Sequence, residues 1–87
     1  MQKMERGQVV LSTAGRDAGH LFIILSSEEG FALIADGKIR RLESPKRKRF
    51  RHLKPAGPVL DITALTTNRQ LRRTIRAVEA ETTLPPI

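Results

Sequence analysis

The chain has no cysteine, no tryptophan and no tyrosine, and its only aromatic residues are three phenylalanines. Without cysteine there are no disulfides and no thiolate zinc sites. So few aromatic rings leave little from which to build a stacking platform for single-stranded bases. They also argue against an aromatic cage for methylated lysine. Long apolar runs are missing as well. The longest, as at residues 21–25, have five residues, far below the roughly 20 needed to cross a bilayer. The amino-terminal MQKMERGQVV has no apolar stretch of signal-peptide length. The expectation is a soluble, cytoplasmic protein with no membrane partner.

Acidic residues are scarce where basic ones are dense. Residues 38–54 read KIRRLESPKRKRFRHLK, nine Lys or Arg against the single acid Glu43. Residues 1–37 carry a net −2 and residues 55–87 a net +1, so the whole formal charge of +7 arises in this stretch. Ordinary soluble surfaces intersperse both signs. A run this one-sided repels itself unless a polyanion lies against it, so nucleic acid is the first class of partner to expect. Arg can fork two phosphate oxygens, whereas Lys acts as a point charge. A nuclear-localisation reading of the run is weaker, because the run is built into a sheet and not a free tail.

At 87 residues the chain has the size of one small domain. Gln8–Ser12 is short and β-branched, a strand, and residues 21–27 form a second. The unbroken apolar run of that second strand implies burial on both faces, or a cover over the outer one. Residues 26–30, SSEEG, form a turn and Phe31–Ala35 a third strand. Asp36-Gly37 between two strand-like runs favours a two-residue type I′ hairpin. Residues 38–42 are then a fourth strand, ended by Ser44-Pro45. The segment 46–53 is a fifth. Its only apolar residues, Phe50 and Leu53, are three apart, so a bulge or a short 3₁₀ turn is expected near His52-Leu53. Pro55-Ala56-Gly57-Pro58 ends the sheet. Residues 59–66 have no clear period and read as a linker or a packed turn. Residues 67–81 are the one helix, with Thr67 as its N-cap and Leu71, Ile75 and Val78 as its packing stripe.

The loop TAGRDAG, residues 13–19, holds Gly15 and Gly19, two positions suited to positive φ. It either makes a tight turn or brings backbone close to a phosphate, with Arg16 reaching the same anion. No Gly-Lys-Ser/Thr follows, so it is not a nucleotide-binding P-loop. Asp17 reads as a residue that orders this loop or pairs with Arg16. Arg69, Arg72, Arg73 and Arg76 gather on one side of the helix and offer a secondary phosphate contact. The two histidines, His20 and His52, stand far apart. No spacing marks a nucleophile, an oxyanion hole or a metal-ligand set, so no catalysis, metal or cofactor is expected.

Two stretches resemble a known family. GQVVLSTAGRDAGHLFIIL, residues 7–25, is similar to a KOW motif, with a leading glycine, a strand, a glycine-bearing loop and a second strand. RKRFRHLKP, residues 47–55, leads from basic residues into His-Leu-x-Pro. ADGKIRRL, residues 35–42, is similar to the hairpin of short bacterial KOW proteins. Taken together they resemble the KOW-domain RNA-binding proteins, nearest to the KOW-barrel proteins of the archaeal and eukaryotic large ribosomal subunit. The resemblance covers about residues 6–55 and leaves the helix uncovered. It implies an SH3-like barrel, ribosomal-RNA binding and no enzymatic activity. It also implies RNA contact from the loop around Arg16 and His20 and from Lys46 to His52, although His20 departs from the basic residue common at its position.

The combined expectation is a mostly β protein, a small five-stranded antiparallel SH3-like barrel at residues 6–56. A linker at 57–66, a helix at 67–81 and a loose tail at 82–87 complete the chain. RNA contact falls to Arg16, His20, Lys38, Arg40, Arg41, Lys46, Arg47, Lys48, Arg49, Arg51 and His52. Recognition would be by the shape of structured RNA, whose base edges are hidden in a narrow major groove. The alternative is a protein-interaction module of the transcription or ribosome-assembly machinery. Its signature here would be an uncovered outer face on the apolar second strand.

Overall fold

The computed structural model describes residues 4–82. The expected loose tail beyond residue 82 lies outside them. One five-stranded antiparallel sheet and one helix make up the fold. The strands are β1 (Gln8–Ser12), β2 (Leu21–Glu28), β3 (Phe31–Ala35), β4 (Lys46–Arg49) and β5 (Leu53–Val59), and the helix is α1 (Asn68–Thr82). The sheet order is β4-β3-β2-β1-β5. A single 3₁₀ turn, Phe50–His52, joins the two edge strands directly, at the place the Phe50/Leu53 spacing indicates.

Alternation along the strands sorts the apolar residues into two cores. Val10, Phe22, Ile24, Ala32, Ile34 and Leu53 form one cluster. No helix residue belongs to it, yet Val10, Phe22, Ile24, Ala32 and Ile34 are wholly buried. This face is therefore buried by the sheet curling over itself, consistent with a small barrel. Val9, Ile23 and Ala35 face the other way and pack with Ile62, Leu71, Ile75 and Val78. The continuous apolar run of β2 is thus buried on both faces, one inside the curled sheet and one under α1. The segment between β5 and α1 is not a free linker, because Ile62 is buried and Leu60 and Leu65 pack on the same core.

The helix starts where its chemistry dictates. Thr67 Oγ1 accepts from the Gln70 backbone N–H at 3.1 Å, and Gln70 Oε1 accepts from the Thr67 N–H at 3.1 Å and the Thr66 N–H at 2.9 Å. This reciprocal capping box satisfies donors that the first turn leaves without partners. An isolated helix of 15 residues is marginal in water. Burial of Leu71, Ile75 and Val78, each worth about 1.5–3 kcal/mol, holds it in place.

Three expectations about the strands are corrected. Residues 38–42 form no strand, and the fourth strand is β4, paired with β3 from Phe31↔Arg49 to Ile34↔Lys46. Asp36-Gly37 makes no type I′ hairpin. Such a turn needs positive φ at both central residues, and among the described residues only glycines have it. Asp36 instead closes a wide loop on itself. Its Oδ1 accepts from the Lys38 N–H at 2.9 Å and the Arg40 N–H at 2.8 Å, while the Asp36 and Gly37 N–H groups donate to the Arg40 carbonyl. Amides that a fourth strand would have offered to the ladder are used inside the loop. The two-residue hairpin lies one strand earlier, at Glu29-Gly30, between the paired residues Glu28 and Phe31. Finally, Pro55-Ala56-Gly57-Pro58 does not end the sheet. It lies inside β5, which pairs only with β1, and an edge strand tolerates prolines because one of its sides needs no N–H.

The 36–45 loop is also the seat of the helix. Asn68 Oδ1 accepts from the Leu42 N–H at 2.8 Å and its amide donates to Glu43 Oε1 at 2.7 Å. Gly37 has φ +81°, and a Cβ there would run into the Asn68 carbonyl. Gly19 has φ +88° but open space around it. Gly19→Ala should therefore cost only the left-handed backbone penalty, about 1–2 kcal/mol, whereas Gly37→Ala should cost clearly more because α1 must also shift. Urea unfolding of the two variants checks this, and equal losses would show that Gly37 does not support the helix. The Glu43 carboxyl is held below its ordinary value, first by the Asn68 side chain, then by its own backbone N–H, with Arg41 assisting. A lowered folded-state pKa gives stability that is present above the unfolded value and lost as pH falls through the folded one. Wild type should be more stable than Glu43→Gln near neutral pH, and the gap should close below about pH 4. Urea midpoints at both pH values measure the gap, and a gap that persists in acid would sever the link.

Candidate nucleic-acid interface

The centre of the site is an acid, not a base. Asp17 is 2% exposed. Both its oxygens face the Arg40 guanidinium, with Nε at 3.2 and 3.3 Å and Nη2 at 3.1 Å. Lys48 Nζ lies 3.7 Å from the same carboxylate and donates to the Ala14 carbonyl at 2.8 Å. One carboxylate thus binds the 13–20 loop to the 36–45 loop and to β4. The expected partner, Arg16, is its sequence neighbour but forms no ion pair among the described residues.

This arrangement removes two residues from the expected contact set. Lys48 is 8% exposed and its ammonium points inward, away from any phosphate. Its pairing with Ala32 in the ladder explains why. Ala32 faces the inner core, so Lys48 must too. Arg40 keeps 29% of its side chain exposed, but its guanidinium is committed to Asp17.

The remaining cations fall on two surfaces. The first combines the 13–20 loop with β4 and the 3₁₀ turn. Here the Thr13 N–H donates to the His52 carbonyl at 2.9 Å, and Lys48 holds Ala14 from below. Both glycines of the loop have positive φ, Gly15 at 76° and Gly19 at 88°, as the spacing implies. Arg16 on the loop, Lys46, Arg47 and Arg49 on β4 and Arg51 on the 3₁₀ turn are exposed, and His52 is half-buried. Lys46, Arg49 and Arg51 form no ion pair among the described residues. Arg47 meets Glu28 at 3.7 Å, an exposed pair that water weakens.

Phe31 is a member of this surface that composition alone does not reveal. Arg47 and Arg49 stand beside it on the outer face of the sheet, with guanidinium carbons 4.1 and 5.3 Å from the ring centroid. The ring attracts the cations and fixes their direction. Register is the signal that finds it. Phe31 pairs with Arg49 and Leu33 with Arg47, which requires knowing that β4, and not residues 38–42, lies beside β3.

The second surface is a groove of about 550 Å³ between α1 and the start of β2 with the 36–39 loop. Arg69, Arg72, Arg73 and Arg76 form one wall; His20, Lys38 and Ile39 lie across from them. His20 and Lys38, expected to join Arg16 and Lys46, are grouped instead with the helix arginines. Arg41 sits apart on the 36–45 loop, paired with Glu43 at 3.5 Å.

Among the described residues no group of three or more His, Asp or Glu gathers as a metal site, and no helix is long and apolar enough to cross a membrane. No protein-family model matches the chain.

Removing the Asp17 charge should leave Lys48 buried without a counter-ion. Asp17→Asn is expected to lose about 3–5 kcal/mol in urea unfolding. Adding Lys48→Met, which keeps the stem and removes the charge, should recover part of that loss. Additive losses in the double variant would show that the two side chains are not coupled.

Proposed function

We propose that this protein is a non-catalytic RNA-binding protein that grips structured RNA by its phosphates, as a component or associate of the ribosome. The observation that carries the reading is the first surface. Five cations are exposed on the glycine-bearing loop, β4 and the 3₁₀ turn, and buried Asp17 ties the loop to β4. Four of the five are arginines, which match the geometry of phosphate oxygens. They are held on a strand, a loop and a 3₁₀ turn, a rigid curved array suited to the backbone of an A-form helix. Phe31 is occupied by Arg47 and Arg49, so the surface favours phosphate contact over base stacking.

The ribosomal part of the proposal comes from the likeness of residues 7–25 and 47–55 to the KOW-barrel ribosomal proteins. The fold is compatible with it, a curled five-stranded sheet with the glycine loop between β1 and β2. A protein-interaction module would draw on an open outer face of β2. That face is covered by Leu71, Ile75 and Val78 of α1, so the feature that favoured the alternative is taken up inside the fold.

Replacing Lys46, Arg47 and Arg49 together with alanine should weaken binding to a ribosomal-RNA fragment at least tenfold. It should also flatten the log–log salt slope by about 2–3 from a starting value near −3.5 to −4.5. Lys48→Met should leave the salt slope unchanged, since its ammonium is internal and neutralises no phosphate. Filter binding across a salt series measures both, and a flat slope in the wild type would overturn the proposal. Co-sedimentation with ribosomes at low and high salt tests the ribosomal assignment, which falls if the protein is absent from both subunits.

A further inference from the structure

The groove beside α1 is built from parts that the first surface does not use. Along the helix Arg69, Arg72, Arg73 and Arg76 succeed one another on one stripe. They span about 10 Å at 1.5 Å per residue. All four are exposed and none forms an ion pair among the described residues. Lys38 faces them from the 36–39 loop, with His20 at the end of the 13–20 loop. Five full positive charges therefore line the groove against two carboxylates, Asp36 and Glu79. Asp36 is 8% exposed and its Oδ1 already accepts two backbone N–H groups of its own loop.

The shape narrows the choice of ligand. A small anion would be met by cations converging on one point. Here they form a line of guanidinium groups along one wall, which suits successive groups on a chain. Ile39 stands on the facing loop with 45% of its surface exposed, one of two large apolar residues left open in the described chain. An apolar residue opposite a row of arginines fits a strand that alternates phosphate with ribose and base. A uniformly acidic peptide would leave Ile39 without a partner.

We infer that the groove is a second RNA site, which takes the sugar–phosphate backbone of an RNA segment other than the one on the β4 surface. The protein then ties two RNA segments together. This rests on the RNA-binding reading above. The two sites are separately built. The 13–20 loop, β4 and the 3₁₀ turn position the first, and the docking of α1, through Asn68, on Gly37 and Leu42 positions the second. The helix arginines thereby acquire a role in bridging and not in strengthening a single contact.

The test uses the full chain and two RNA duplexes of about 16 base pairs, one carrying a donor dye and one an acceptor. Substoichiometric protein should bring the dyes together, and sedimentation should show one protein with two duplexes. The variant Arg69→Gln/Arg72→Gln/Arg73→Gln/Arg76→Gln, its fold checked by circular dichroism, should lose energy transfer. Its affinity for one duplex should stay within about threefold of wild type at moderate salt. The Lys46/Arg47/Arg49 alanine variant should lose most single-duplex affinity. Bridging by the glutamine variant as efficient as wild type would overturn the inference. So would a single-duplex loss equal to that of the alanine variant, which would make the two surfaces one. Binding of a Glu-rich peptide that the glutamine variant abolishes, with no second duplex ever bound, would assign the groove to an acidic protein and also overturn it. Failure of wild type to bind any duplex would remove the RNA-binding reading itself, an outcome distinct from all of these.

Discussion

The buried Asp17 carboxylate is the constraint on which the rest of this surface depends. It accepts both arms of Arg40 and lies near Lys48, so two of the chain's cations are directed inward. A buried ion pair of this kind is not a strong source of stability, because desolvation offsets most of the attraction. What it supplies is placement. Three segments far apart in sequence, the 13–20 loop, the 36–45 loop and β4, meet at one side chain. Neither the 13–20 loop nor β4 contributes a residue to either core, and a surface this rich in like charge would otherwise drive them apart. With the three fixed, Arg16, Lys46, Arg47, Arg49 and Arg51 have defined positions and no choice but to face solvent or a ligand.

The outer face of the sheet shows how the same charge is distributed. Near the carboxy-terminal end of β3 it is apolar, with Ala35, Ile23 and Val9 beneath α1. Toward Phe31 it is basic, with Arg47 and Arg49 stacked on the ring. The helix thus does two jobs with opposite stripes. Leu71, Ile75 and Val78 cover apolar strand surface that would otherwise be a site for association, and Arg69 to Arg76 present charge along the flank. The covering of β2 and the making of the groove are one event, since the helix is ordered only when it is docked.

What the sequence disclosed and what it withheld follow a physical division. Patterns of short range were legible: the strands β1, β2 and β3, the positive φ of Gly15 and Gly19, the 3₁₀ turn after Arg49, and the Thr67 cap. Each depends on residues within a few positions of one another. The errors lie where distant contacts decide. Asp36-Gly37 has the composition of a tight hairpin, but its outcome was set by Asn68, some thirty residues away, and by the use of the Asp36 carboxylate as a local acceptor. Lys46 to Arg49 reads as four equivalent basic residues. Alternation says that Lys46 and Lys48 share one face and Arg47 and Arg49 the other, but only the register against Ala32 and Phe31 says which face is inside. The prolines of β5 read as a stop because nothing local shows that the strand lies at an edge.

The same division bears on how the basic stretch should be understood. As sequence it is a single block of charge at residues 38–54. As structure it is dispersed among five environments: Arg40 and Lys48 are internal counter-ions, Lys38 belongs to the helix groove, Arg41 pairs with Glu43, Lys54 stands on β5, and Lys46, Arg47, Arg49 and Arg51 form the β4 surface. The dispersal lowers the self-repulsion that a contiguous run would carry, because the folded chain interleaves Asp17, Asp36, Glu28 and Glu43 among the cations. These carboxylates come from outside the block in every case but one. A chain whose charge was only a flexible polyanion-binding tail would have no reason to import acids into its midst. Their presence indicates that position, and not charge alone, is what the fold maintains, and a ligand recognised by the shape of its backbone is the kind that requires it.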